Sequence, residues 1–179
     1  MNEKSNIKTA IFGAGCFWCT EAIFKNITGV ISVEPGYSGG IINNPTYQEV
    51  CVGSTGHAEV VKITYNPEVI DFETLVKINL LTHDPTTLNK QGNDEGTQYR
   101  SVIYFNDDSE KNIIENVISE MSSLYEEPII TEIKKAETFY PAENYHKDYF
   151  QNNPNNPYCK FVIAPKVAKF RKMFIDKLK

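Results

Sequence analysis

The chain has 179 residues, 41% of them apolar and 12% aromatic, and a net charge of −5 with acids and bases interspersed. This length suits one domain with a sizeable core. The absence of a basic stripe argues against nucleic-acid binding, and no apolar run approaches the ~18 residues that cross a bilayer. Residues 1–6 are polar and lack the apolar core of a signal peptide. The cytosol is therefore the expected compartment. The four cysteines are expected to be thiols or redox groups rather than a structural disulfide framework.

In chain order, residues 8–12 read as a buried apolar strand and Gly13-Ala14-Gly15 as a small-residue turn. A helix over 17–26 follows, then a strand over 30–36 ending in Glu34-Pro35-Gly36. A loop carries Gly39-Gly40 and Asn44-Pro45, and residues 58–65 alternate as a strand does. Asp71 is a helix N-cap before an apolar face of Phe72, Leu75, Val76 and Leu80. Residues 83–96 form a polar loop of the length that usually carries function. A strand over 101–105 comes next. The helix over 107–125 carries the stripe Ile113, Ile114, Val117, Ile118, Met121 and Leu124. A strand over 129–138, a short helix over 144–151, an Asn/Pro breaker over 152–157 and an amphipathic helix over 167–178 complete the chain.

This order predicts an α+β, two-layer sandwich. A mixed β-sheet carries the helices in a ferredoxin-like βαβ arrangement, with a long coil and a C-terminal helix. The expected unit is one catalytic domain spanning 1–179. All ten glycines lie at or before Gly96, so the first half is expected to build the site and the second to be scaffold.

Gly15-Cys16-Phe17-Trp18-Cys19 concentrates the chemistry. A thiol at a helix N-terminus meets unpaired N–H groups and the helix dipole, which favour a thiolate. Burial as a structural cysteine is the plainer reading. Phe17 and Trp18, the sole tryptophan, are either core or the walls of a pocket beside the thiol. The Cys-x-x-Cys spacing fits a dithiol, but zinc would want a second pair, and Cys51 and Cys159 stand singly. Cys51, in an apolar stretch, reads as structural. Glu59 is either an exposed strand end or, if it points into a pocket, an acid with a raised pKa. His57, His83 and His146 are ambiguous. The separation of Cys16 and His146 admits a Cys–His hydrolase, although the local signature of one is missing. A non-catalytic binding module would keep the pocket without needing a reactive thiol.

Several segments together closely resemble peptide methionine sulfoxide reductases of the A type. They include Gly15-Cys16-Phe17-Trp18, Gly36-Tyr37-Ser38-Gly39-Gly40, Asn44-Pro45-Thr46-Tyr47 and Val50-Cys51. Thr55-Gly56-His57-Ala58-Glu59, the run from His83 to Asn89, and Gln91-Gly92-Asn93-Asp94 match too. So do the runs from Gly96 to Ser101 and from Ala142 to Tyr149. The likeness implies reduction of the S epimer of methionine sulfoxide, free or in proteins, as a repair of oxidised proteins. It implies thioredoxin as the source of electrons, dithiothreitol as a substitute, and no metal or bound organic cofactor. It makes Cys16 the nucleophile and Glu59 the acid toward the sulfoxide oxygen. It has Tyr47 and Tyr99 hydrogen-bond that oxygen, Phe17 and Trp18 hold the methyl group, and Asp94 help place the substrate. Glu143 and His146 match the motif without an assigned role. A monomer is expected.

The attack would leave a sulfenic acid on Cys16 that a second thiol must condense with. Many relatives carry this resolving cysteine in a Gly-rich tail. Here Cys159 matches the first tail position, in segment 152–179, but the residues after it contain no glycine. Cys159 is preferred over Cys19, because three-residue spacing within a helix strains a disulfide. Glu59 is expected to be buried with a raised pKa, since an ionised carboxylate there would oppose the thiolate.

Overall fold

The structure is a computed structural model and describes residues 6–179. Most of the polar leader, residues 1–5, lies outside them. In chain order the elements are β1 (Lys8–Ala14), α1 (Phe17–Phe24), β2 (Val30–Ser38), α2 (Tyr47–Val52), β3 (Ala58–Tyr65) and α3 (Phe72–Leu81). Then come β4 (Lys90–Gln91), β5 (Asp94–Glu95), β6 (Ser101–Phe105), α4 (Asp108–Met121), β7 (Glu132–Lys135), β8 (Tyr140–Pro141), α5 (Tyr149–Asn152) and α6 (Ala164–Met173).

Among the described residues, six strands form one mixed sheet in the order β7-β6-β1-β3-β2-β8. The four central strands pair antiparallel, and β7 joins β6 in parallel. The core is the interleaved βαβ pattern expected from the sequence: α1 carries the chain from β1 to β2, and α3 leads from β3 to β6, by way of the β4–β5 hairpin. Strand alternation sorts the side chains into two groups. Phe12, Val61, Ile63 and Ile103 join the main core, whereas Val60, Val102 and Tyr104 form a smaller cluster with Ala58.

The helices start where their chemistry dictates. Asp71 accepts from the Thr74 N–H at 2.8 Å and caps α3, and Asp107 accepts from the Glu110 N–H at 2.8 Å and caps α4. The stripe on α4 buries Ile114, Val117 and Met121. Leu124 falls instead on a tighter terminal turn, Ser122–Leu124, and is exposed.

Other boundaries differ from expectation. The short α2 lies within the expected loop; the Thr46 hydroxyl caps it by accepting the Glu49 N–H. The loop over 83–96 contains the β4–β5 hairpin, turned at Gly92 with φ +58. The expected helix over 144–151 splits into a turn, Asn144–His146, and α5, because Asp148 adopts a left-handed backbone with φ 53. The C-terminal helix starts earlier than residue 167: a wide π-turn, Cys159–Ile163, runs directly into α6, which ends at Met173.

Candidate active site

The site grows from the turn between β1 and α1. Gly15 has φ +90, and a Cβ there would stand 2.7 Å from Gln91 Cγ. Gln91 is held in turn by both backbone groups of Asp84, its Oε1 accepting at 3.0 Å and its Nε2 donating at 2.9 Å. Glycine at this position therefore lets the loop over 83–96 close against the cysteine. Cys16 is the N-cap of α1, with an extended backbone (φ −60, ψ 124). It is buried, as are Phe17 and Cys19.

Glu59 reaches this turn from β3. It is 1% exposed, and its Oε1 accepts the Phe17 N–H at 3.1 Å. Its Oε2 is buried with no hydrogen-bond partner among the described residues. Burial pushes the carboxyl up to about 8, aided by Asp94 and Cys19 and opposed by the Phe17 N–H. At neutral pH it is therefore an acid holding its proton, as anticipated. The expectation of a thiolate at Cys16 is not met in this resting arrangement. Burial, the Cys19 thiol and Glu59 together raise Cys16 well above its ordinary value, although the Trp18 N–H opposes them. Desolvation here outweighs the helix terminus.

The surroundings of the Cys16 turn are aromatic. Phe17 lies 5.7 Å from the Tyr37 ring and 6.4 Å from Tyr47. Trp18 stacks on Tyr149 with centroids 3.7 Å apart and planes 7° from parallel. Tyr47, at the start of α2, and Tyr99, on the turn Thr97–Tyr99, are half-buried. Burial and the neighbouring Glu59 raise both phenols, so both are neutral donors. Glu143 binds two groups of this wall, the Tyr37 hydroxyl and the Tyr47 N–H, each at 3.0 Å. Burial pushes Glu143 up, but these donors outweigh it and hold the carboxyl below its ordinary value.

The second half of the chain is more than scaffold, contrary to the glycine-based expectation. It supplies Glu143, His146, Tyr149 and Tyr158 to the site. The Tyr158 hydroxyl donates to Asp94 Oδ2 at 2.5 Å and lies beside Cys19. The Cys19 thiol lies against Cys16, and this contact, more than any other influence, draws it below its ordinary value. Cys159 is buried in the π-turn, where burial and the nearby Cys19 raise it. Because Cys16 is an extended N-cap rather than a residue inside the helix, the strain argument against pairing it with Cys19 loses its basis.

The remaining candidates have other tasks. His57 ties the Gly39-Gly40 loop, its Nδ1 accepting the Gly40 N–H at 2.9 Å and its Nε2 meeting the Ile42 carbonyl at 2.6 Å. His83 bridges the Asn79 carbonyl and the Ser101 hydroxyl, and burial pushes it down to about 4. Cys51 is exposed; Val50, not Cys51, is the buried residue of α2. Among the described residues no hydrogen bond joins His146 to Cys16, whose partnership a hydrolase would need. Among them, no cluster of three or more His, Cys, Asp or Glu side chains is arranged to hold a metal, and no helix is long and apolar enough to cross a membrane. The sequence left Tyr37, Tyr149 and Tyr158 without a role. The one signal was position: Tyr37 and Tyr149 sit inside matched segments, and Tyr158 precedes Cys159.

A buried dithiol beside a protonated carboxyl, under an aromatic wall with phenol donors, defines a thiol oxidoreductase on an α+β fold. The chain matches the family model for peptide methionine sulfoxide reductase over residues 8–178. The peptide methionine sulfoxide reductase MsrA of Saccharolobus solfataricus is 51% identical over 173 residues, covering 97% of this chain and 98% of that one. Mxr1 from Saccharomyces cerevisiae in its reduced form superposes with a TM-score of 0.82 at 32% identity, over 89% of this chain and 92% of that one. The same yeast protein in complex with Trx2 shares the fold, with a TM-score of 0.59 at 22% identity over 83% and 88% of the two chains. The chain belongs to the peptide methionine sulfoxide reductase family.

Proposed function

We propose that the protein reduces the S epimer of methionine sulfoxide, free or in proteins, with Cys16 as nucleophile. The observation that carries this is the pairing of the Cys16 turn with Glu59, a buried acid whose second oxygen has no partner. A sulfoxide sulfur becomes electrophilic as its oxygen is protonated. Glu59 gives that proton, and Tyr47 and Tyr99 donate to the same oxygen in a site shielded from water. Phe17 and Trp18 enclose the methyl group, for which an aromatic wall beside sulfur is favourable. Asp94, fixed by Tyr158, orients the rest of the substrate. The Cys16 sulfur takes the protonated oxygen as its own thiol proton passes to Glu59, the substrate leaves as methionine, and Cys16 becomes a sulfenic acid.

Two thiols then act in sequence. Cys19, the thiol against Cys16, condenses with the sulfenic acid and releases water. Cys159, the next thiol along, attacks the Cys19 sulfur and forms the disulfide that thioredoxin reduces, freeing Cys16. Cys159 thus remains the final resolving residue and Cys19 becomes the intermediate one. The Trx2 complex of Mxr1 supports a thioredoxin as reductant. The catalytic unit is the whole chain, acting as a monomer in the cytosol without a resident cofactor.

The test is incubation with dithiothreitol and each separated epimer of a methionine sulfoxide peptide. S-only reduction that disappears in Cys16→Ser supports the reaction and its nucleophile. Reduction of neither epimer by a folded, fully thiol-reduced protein refutes it. Mass-mapping after one turnover without reductant tests the relay. A Cys19–Cys159 bond is expected in the wild type and a Cys16–Cys19 bond in Cys159→Ser, whereas a direct Cys16–Cys159 bond ends it.

A further inference from the structure

His146 is completely buried, although it lies on a short turn near the sheet edge. Its Nδ1 accepts the indole N–H of Trp18 at 2.9 Å. Its ring stands 4.9 Å from Phe17 and 4.6 Å from Tyr47, between centroids. Its Nε2 is buried without a partner among the described residues. Leaving a polar atom unpaired in the interior is unfavourable, so an apolar residue would fill this space more cheaply. What an apolar residue would lack is the acceptor for Trp18.

The stack on Tyr149 explains why that acceptor matters. Two parallel rings at van der Waals distance fix the plane of the indole but tolerate sliding and rotation within it. A hydrogen bond at one edge removes that freedom. We propose that His146 is a positioning residue for the methyl pocket, locking the in-plane orientation of Trp18 and thereby the enzyme's preference for a methyl group on sulfur. This deepens the proposed function and rests on the assignment of Trp18 to the substrate's methyl group. An acceptor at Nδ1 requires a neutral imidazole with its proton on Nε2. Burial favours that form, against the Glu143 carboxylate, which favours the charged one.

Trp18 is the sole tryptophan, so indole fluorescence and the indole N–H resonance report this one ring. His146→Leu keeps the bulk and removes the acceptor. His146→Asn keeps an oxygen close to the Nδ1 position. With a methyl sulfoxide peptide, His146→Leu is expected to raise KM ~10-fold, a change of ~1.4 kcal/mol, with a much smaller change in kcat. Its discrimination against the ethyl analogue should narrow, and its emission spectrum should shift. His146→Asn should recover most of each. In a Trp18→Phe background the same His146→Leu change should add little, because the effect travels through the indole.

Unchanged emission and KM in a folded His146→Leu protein overturn the proposal. So does an undiminished effect in the Trp18→Phe background, or equal damage by Asn and Leu. The wild type provides a reading that needs neither a folded variant nor catalysis. Its indole N–H should exchange slowly with solvent, and a freely exchanging one overturns the proposal even if sulfoxide reduction is confirmed. A protected N–H in a protein without reductase activity would instead count against the proposed function alone.

Discussion

Glu59→Gln is close to isosteric and keeps an oxygen for the Phe17 N–H, so it removes the proton and little else. At pH 7 an acid raised to about 8 is ~90% protonated, whereas one at the ordinary 4.5 is ~0.3% protonated. Burial therefore enriches the useful form ~300-fold. Positioned general acids contribute ~100- to 10,000-fold, so kcat/KM toward the S-sulfoxide should fall at least ~100-fold in the variant. Steady-state kinetics between pH 6 and 9.5 provide the assay. The ratio of wild-type to variant kcat/KM should be level at low pH and decline above about 8. Both proteins carry the Cys16 thiol, raised well above its ordinary value, so its ionisation, which shapes each profile, cancels in that ratio.

Stability provides an independent reading. Between 4.5 and about 8 the folded protein holds a proton that the unfolded chain has released. Its contribution is therefore complete below pH 4.5 and is lost as pH rises through 8, at up to ~1.4 kcal/mol per pH unit. Glutamine has no such dependence, so the variant should gain on the wild type by several kcal/mol across that window, measured by urea unfolding. Turnover within threefold of wild type at pH 7, or a stability difference flat from pH 5 to 8, would refute the buried acid.

Three further outcomes are expected. Gly36→Ala would place a Cβ 2.4 Å from the Phe139 ring and 2.5 Å from the Tyr140 carbonyl; it should lower stability by ~2–3 kcal/mol, visible as a lower Tm. Tyr158→Phe removes the donor to Asp94 and a group that holds the Cys19 thiol down; turnover with dithiothreitol should fall several-fold and iodoacetamide should label Cys19 more slowly, and equal rates would remove Tyr158 from the site. Glu21, buried on α1 and accepting from the Asp148 N–H at 2.9 Å, is raised to about 7 by burial. Wild-type stability should decline as pH rises through 7 and Glu21→Gln should flatten that decline, which urea midpoints at pH 5 and 8 would reveal.

Local chemistry carried most of the fold into the sequence. Asp71 announces its helix because a carboxylate that caps does so wherever it sits. The alternation in β3 survives because one strand faces two different cores. Among the site residues, Cys16, Phe17 and Trp18 were legible from the turn that precedes them. Glu59 was legible only through the family resemblance, because whether a strand-end carboxylate is wet or dry is decided by α1, packed over it from 42 residues away. The partnership of Trp18 with His146 spans 128 residues and has no local signature. Glycine content was a poor guide to function, since Tyr149 and Tyr158 build the wall from a stretch without any.

The segment bearing Cys159 is anchored at both ends. Tyr158 is tied to Asp94 at the front. At the back, the last residues pair with the chain beyond α1: the Thr28 N–H donates to the Lys177 carbonyl at 2.7 Å and the Lys179 N–H to Asn26 at 2.9 Å. A helix held in this way has no free end to swing. Travel of the Cys159 sulfur must come from melting between two pegs, and the π-turn is its weakest stretch. Converting its five residues from a helical rise to an extended one would release ~9 Å of chain. Under the proposed relay, the slack that redox exchange needs would be stored as coiled length in this turn, with Cys159 under cover.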